Sequence, residues 1–176
     1  MSDKEIITGC LRNDRNSQKA LFDKYSRSMK TLCLRYVGDN EDAEDVLQNG
    51  FILMFENLGN FKFEGSFEGW LRKIMTNACL KHLIDKKKMK IENIDESNGV
   101  KSINFDIDLQ LSGEVLLKGL MSLPAGYRTV FNMYVIEGYS HREIAELLNI
   151  EESSSRSQLA KAKIFLRKLF NDTDFI

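Results

Sequence analysis

The stretch Ser140-His141-Arg142-Glu143-Ile144-Ala145-Glu146-Leu147-Leu148-Asn149-Ile150-Glu151-Glu152-Ser153-Ser154-Ser155-Arg156-Ser157-Gln158-Leu159 decides the fold. Ser140 and Glu143 have the spacing of a capping box: the hydroxyl accepts from the Glu143 amide while the carboxylate returns to the Ser140 amide. Ile144, Leu147 and Leu148 give the short helix that follows an apolar face. Asn149-Ile150 turns the chain. A final helix, about Ser153 to Phe170, has Leu159, Ala162, Leu166 and Leu169 on its buried side. A short capped helix, a tight turn and a longer basic helix make a helix-turn-helix pattern. Away from the stripe lie Ser154, Ser157, Lys161 and Lys168, with Gln158 at the edge and Arg156 and Lys163 flanking. Short hydroxyls and an amide approach base edges, and the longer cations reach phosphates. A plain helical hairpin with a charged surface would share much of this pattern.

Charge is segregated behind a net of −1. Arg156, Lys161, Lys163, Arg167 and Lys168 follow one another with no acid between them. Arg72, Lys73, Lys81, Lys86, Lys87, Lys88 and Lys90 face Asp85 alone. The acids gather elsewhere, at Asp39, Glu41, Asp42, Glu44 and Asp45, and again at Glu92, Asp95, Glu96, Asp106 and Asp108, opposed only by Lys101. Two basic segments with an acidic one between them point to two contacts with a polyanion.

Upstream of the decisive stretch, Leu116, Leu117 and Leu120 form a short stripe interrupted by Gly119. Pro124 is expected in the first turn of the next helix, where a missing N–H does no harm. Val130, Phe131, Tyr134 and Val135 are its expected inner face, and Gly138 its stop. Residues 90–111 have no helical period, are acidic and contain Ser97-Asn98-Gly99, so they read as a flexible linker. Over 17–37, Leu21, Phe22, Tyr25, Met29, Leu32, Cys33, Tyr36 and Val37 recur in steps of three and four. After Gly38 a second helix begins near Glu41, with Ala43, Val46, Leu47, Met54, Phe55 and Leu58 inward and Asp45, Gln48, Asn49, Ile52 and Glu56 outward. Phe61-Lys62-Phe63-Glu64-Gly65 reads as an ordered loop bearing two rings. Ser66 caps a helix to about Lys88 that buries Phe67, Trp70, Leu71, Ile74 and Ala78.

The expected fold is therefore all-α: two small helical domains, 1–89 and 112–176, joined by a flexible acidic linker, 90–111. Composition agrees. One proline and 11 glycines in 176 residues are too few turn-formers for a sandwich or barrel. No apolar run approaches the roughly 20 residues that span a bilayer, which excludes an integral membrane protein. Cys10, Cys33 and Cys79 are odd in number and form no CxxC pair, and with no secretory segment they read as free thiols in the cytoplasm. His82 and His141 are isolated, so no metal site and no cofactor are expected. Paired carboxylates with histidine, a phosphate loop and Ser/His/Asp logic are all missing, which argues against an enzyme.

Two separated motif sets carry a specific resemblance. Leu123-Pro124-Ala125-Gly126-Tyr127-Arg128-Thr129-Val130-Phe131, Glu137-Gly138-Tyr139-Ser140, Glu143-Ile144-Ala145 and Arg156-Ser157-Gln158-Leu159 resemble the promoter −35 recognition domain of sigma-70-family factors. Asp42-Ala43-Glu44-Asp45-Val46-Leu47-Gln48 with Phe51 resembles the family's polymerase-binding helix, and Phe61, Trp70-Leu71 and Asn77 its −10 reader. With no further domain at this length, the chain resembles the extracytoplasmic-function (ECF) group. The resemblance implies an initiation factor that binds core RNA polymerase and promoter DNA, and it suggests an anti-sigma partner. Asp45, Gln48, Asn49 and Ile52 would dock on the polymerase. Phe61, Phe63, Trp70, Arg72, Lys73, Asn77 and Lys81 would hold the −10 strand. Ser154, Arg156, Ser157, Gln158, Lys161 and Lys163 would meet the −35 duplex. The chain departs from the family at Asn49 and Lys81, where relatives often carry acids, and at Glu151, which moves the expected cap of the last helix to Ser153. The alternative is a stand-alone helix-turn-helix regulator.

Overall fold

A computed structural model describes residues 2–92 and 113–170, all helices and connections with no strand among them. The chain divides into two compact units, the first ending with the helix that reaches Glu92 and the second built on 113–170, with Arg35–Gly38 counted to the second. The 93–111 part of the expected linker lies outside the described residues.

The first unit contains α1 (Asp3–Leu11), α2 (Arg15–Val37), α3 (Asn40–Asn57) and α4 (Phe67–Glu92). α1 goes beyond the sequence expectations, although its signals are local. Ser2 and Glu5 form a capping box, and Ile6, Ile7 and Cys10 are buried. Its first residue is tied down: Asp3 accepts from Lys24 Nζ (2.6 Å) and from the Tyr25 hydroxyl (2.9 Å). The Lys24 bond holds the Asp3 carboxyl below its ordinary range.

α2 buries Leu21, Tyr25, Met29, Leu32 and Cys33, as the period requires, while Phe22 stays partly exposed with its ring 4.8 Å from Phe51. α3 starts at the Asp39 side chain, which accepts from the Glu41 and Asp42 amides. On α4 the buried row is Phe67, Leu71, Met75, Cys79 and Leu80, with Trp70, Ile74 and Ala78 half-buried beside it. The reason lies on α3. Gly50 has no Cβ, and one built there would stand 2.2 Å from the Met75 sulfur, so the two helices approach along the Met75 row. Each fully buried Leu or Met contributes about 1.5–3 kcal/mol. α4 also runs on to Glu92, past the Lys88 expected for its end, because no glycine or proline stops it.

The second unit contains α5 (Gly113–Ser122), α6 (Ala125–Phe131), α7 (His141–Leu148) and α8 (Glu152–Leu169). Pro124 is the N-cap of α6, one position ahead of the expected first turn. Buried Arg128 donates through Nη1 to the carbonyls of Met121 (2.9 Å) and Leu123 (3.2 Å), closing the α5–α6 corner. The inner face expected for the next stretch fails at Tyr134 and Val135, which are partly exposed. A π-helical turn spans Asn132–Ile136, with the Glu137 amide donating to the Asn132 carbonyl (2.9 Å). Its wider turn rotates the register, so Asn132 and Met133 go inward instead.

Candidate nucleic-acid interface

Three exposed surfaces collect the residues singled out from the sequence. On α3, Asp45, Gln48, Asn49 and Ile52 are spaced i, i+3, i+4 and i+7, share one face and are all exposed, Ile52 at 56%. The opposite face carries Ala43, Val46, Leu47, Phe51 and Met54 into the core. A polar face with an exposed aliphatic group at its end suits a protein contact.

The second surface begins at the 61–65 loop. A 3-10 turn, Leu58–Asn60, ends α3 and delivers Phe61 into a ring cluster. Phe61 is buried, its centroid 5.3 Å from Phe67, 5.4 Å from Trp70 and 5.1 Å from Phe63. Phe63 then takes φ 57° and Gly65 φ 86°, which turns the Phe63 ring outward to 46% exposure. A phenylalanine in the left-handed region is a strained conformation of the kind that gathers at functional sites. Ser66 accepts from the Gly69 amide (3.3 Å) and starts α4, as expected. Trp70, Lys73, Asn77 and Lys81 lie along α4 at steps of three and four, so the rings sit at one end of a row of cations and an amide. Trp70 belongs to both, half-buried against Phe61 and Phe67. Arg72 is offset from this row and lies 3.9 Å from Glu68.

The third surface is α8. The capping box forms as read: the Glu143 amide donates to Ser140 Oγ (3.2 Å), and the Ser140 amide to Glu143 Oε2 (2.8 Å). Asn149 turns the chain in the left-handed conformation, φ 51°. α8 starts at Glu152 with Glu151 as N-cap and no side-chain bond to it, so Ser153 is a helical residue rather than the cap. Ser154, Ser157 and Lys161 form one exposed row. Arg156 is exposed and paired with Glu152 one turn back, a contact weak enough to yield to a phosphate. Gln158 and Lys163 are half-buried at the margins, Gln158 with Oε1 beside Gly126 of α6.

Sequence reasoning missed the support beneath α8. His141, the first residue of α7, sets Nδ1 2.9 Å from Ser155 Oγ, and both side chains are buried. The imidazole also stacks on Tyr134, centroids 4.3 Å apart. Burial and the nearby Arg156 charge hold the His141 pKa below its ordinary value. The signal was present: Ser155 falls on the same register as Leu159, Ala162 and Leu166, and a serine on an apolar face needs a buried partner.

Among the described residues no group of histidine, cysteine or acid side chains is placed to hold a metal, and no helix is long and apolar enough to cross a membrane. Two family descriptions match the chain: sigma-70 region 2 over residues 21–89 and sigma-70 region 4 over residues 114–166, together more than two thirds of it. The chain is similar to the ECF RNA polymerase sigma factor SigW of Bacillus subtilis, 27% identical over 182 residues that cover 96% of this chain and 97% of the relative. It is also similar to SigM of Mycobacterium tuberculosis, 26% identical over 168 residues, 96% of this chain and 84% of the relative. The fold resembles that of the sigma factor RpoE in its co-crystal structure with the anti-sigma factor NepR from Bartonella quintana, at TM-score 0.58 and 16% identity over 89% of this chain and 98% of that one. With both regions matched in chain order, one on each helical unit, this chain belongs to the ECF group of sigma-70-family RNA polymerase sigma factors.

Proposed function

We propose that the chain works in the cytoplasm as a dissociable initiation subunit of RNA polymerase with no catalysis of its own. Residues 1–89 form its polymerase and −10 domain, 112–176 its −35 domain, and 90–111 the connection. The exposed α3 face, with Asp45, Gln48, Asn49 and Ile52, docks on a basic coiled coil of the largest catalytic subunit. Phe63, Trp70 and Asn77 receive the displaced −10 strand, with Phe61, expected among them, buried beneath as their support: a ring stacks on a base face, an amide pairs with a base edge, and Arg72, Lys73 and Lys81 follow the phosphates. On α8, Ser154, Ser157 and Gln158 read base edges while Arg156, Lys161 and Lys163 hold the duplex backbone.

The observation that carries this reading is the 61–65 loop, where a half-exposed strained ring stands beside a row of cations and an amide. A regulator that only binds intact duplex has no use for such a stacking platform. The sigma factor RpoE, of similar fold, is solved in complex with the anti-sigma factor NepR, which supports an anti-sigma factor as a further partner.

The test is run-off transcription: core RNA polymerase, this chain and a genomic fragment library. Transcripts that start at discrete sites only when the chain is added are expected. A chain that binds duplex DNA without polymerase and yields no transcript would be the stand-alone regulator instead. Asn77→Ala is expected to impair promoter opening more than polymerase binding.

A further inference from the structure

We propose that His141 and Ser155 are a positioning pair whose buried hydrogen bond sets the angle at which α8 leaves the turn, and so how sharply α8 discriminates bases. The inference rests on the −35 role given to α8 above.

The bond joins the first residue of α7 to the first turn of α8 across the Asn149 turn, with Nδ1 and Oγ 2.9 Å apart. Ser155 is fully buried and His141 nearly so. The imidazole has a second support, the Tyr134 ring, at an interplanar angle of 20°. One side chain thus ties the π-helical turn, α7 and α8 together at the point where α8 takes its direction. The remaining contacts of this face, through Leu159, Ala162 and Leu166, are apolar. Apolar contact is non-directional and lets helices slide, whereas a hydrogen bond weakens steeply with angle and distance.

The consequence differs between the two kinds of contact on α8. Ser154 and Ser157 bracket Ser155 in sequence, and their hydroxyls reach only an atom or two beyond the backbone. A small change of tilt takes them out of hydrogen-bonding range of a base edge. Lys161 and Arg156 have long flexible stems and follow a phosphate through the same change. Loss of the pair therefore removes discrimination and spares the salt-dependent backbone grip.

The test uses the full chain assembled with core polymerase and a promoter library randomised across the upstream element, read by sequencing the transcripts. His141→Phe and Ser155→Val each leave a buried polar partner unpaired and lower the melting temperature. The double variant removes both polar groups and regains stability. All three are expected to flatten upstream base enrichment about fivefold or more, the discrimination carried by one base contact. Enrichment in a second library randomised at −10 stays unchanged. Ser155→Ala, which deletes one atom, keeps the fold and gives the same flattening. Full upstream enrichment in the double variant and in Ser155→Ala would overturn the inference and leave the role of α8 intact. No upstream enrichment with the unsubstituted chain would overturn the role of α8, and this inference with it.

Discussion

The 61–65 loop and the Asn149 turn each join two helices, and they are held by opposite means. The loop hangs on rings. Phe61 packs against Phe67 and Trp70, and Phe67 lies 5.4 Å from Tyr25, whose hydroxyl donates to Asp3 on α1. The turn hangs on directed bonds: the Asn149 and Ile150 amides donate to the Ala145 carbonyl, the His141–Ser155 pair spans the corner, and a single left-handed residue stands between the helices. A ring cluster offers faces and tolerates small shifts, which suits stacking on bases of any identity. A hydrogen-bonded corner fixes orientation, which suits reading base edges in a groove. The means of support match the chemistry that each surface presents.

The largest expected effect breaks the loop at its root. Phe61→Ala removes a buried ring with three aromatic neighbours and should cost about 3–5 kcal/mol, read as a lower denaturation midpoint of the first unit. If it costs no more than a surface change, the rings do not hold the loop. Phe63 gives the sharper contrast, because its ring is half-exposed and its φ is 57°. Phe63→Gly relieves about 1 kcal/mol of left-handed strain but gives up the half-buried contact with Phe61, so it should move stability far less than Phe61→Ala, while promoter opening, followed by permanganate reactivity of unpaired thymines, falls. A small change in stability with a large loss of opening would separate the ring that holds the loop from the ring that meets the strand.

The turn is expected to respond to pH. His141 has its pKa pulled below its ordinary 6.5, first by burial and then by Arg156, with Glu152 opposing and Lys163 adding to the pull. The folded unit therefore holds the neutral ring. Its contribution is complete above about pH 6.5 and declines as pH falls toward the folded-state value, because the unfolded chain takes up the proton first. The melting temperature of the second unit should drop between about pH 7.5 and 5.5. His141→Phe should lose that part of the slope. An unchanged slope in the variant would mean that another group titrates.

Much of this was legible in the sequence, and what was not has physical causes. The capping box at Ser140, the chain turn at Asn149 and the α8 stripe of Leu159, Ala162 and Leu166 are local patterns with local reasons, and they stand where they were read, whereas Leu147, expected on the apolar face of α7, is exposed and Leu169 only half-buried. The outward face of α3 followed from period alone. Tyr134 and Val135 were misplaced because a π-helical turn changes the period itself, and nothing in Asn132–Ile136 announces that turn. The buried row of α4 shifted from Ile74 and Ala78 to Met75 and Cys79 because the choice between adjacent rows is made across the interface, by Gly50 on α3. The left-handed Phe63 is a tertiary feature, since no local preference of phenylalanine favours it. The Ser155 partner was legible in principle, as a serine on an apolar register, but only the fold names His141.

The smallest effect tests the division on α8 between gripping and reading. Lys161 is exposed and makes no ion pair among the described residues, so its charge is available to a phosphate. A lysine that neutralises one phosphate releases about one counterion, so the slope of log affinity against log salt should fall by about one unit in Lys161→Ala. Ser157→Ala carries no charge change and should leave that slope untouched while altering base preference. Arg156 falls between them: its exposed pair with Glu152 must open before it meets a phosphate, which trims its contribution below that of Lys161 by a few tenths of a kcal/mol. Equal salt slopes for the unsubstituted chain and Lys161→Ala would take Lys161 out of the backbone contact and leave the grip to the flanking Arg156 and Lys163.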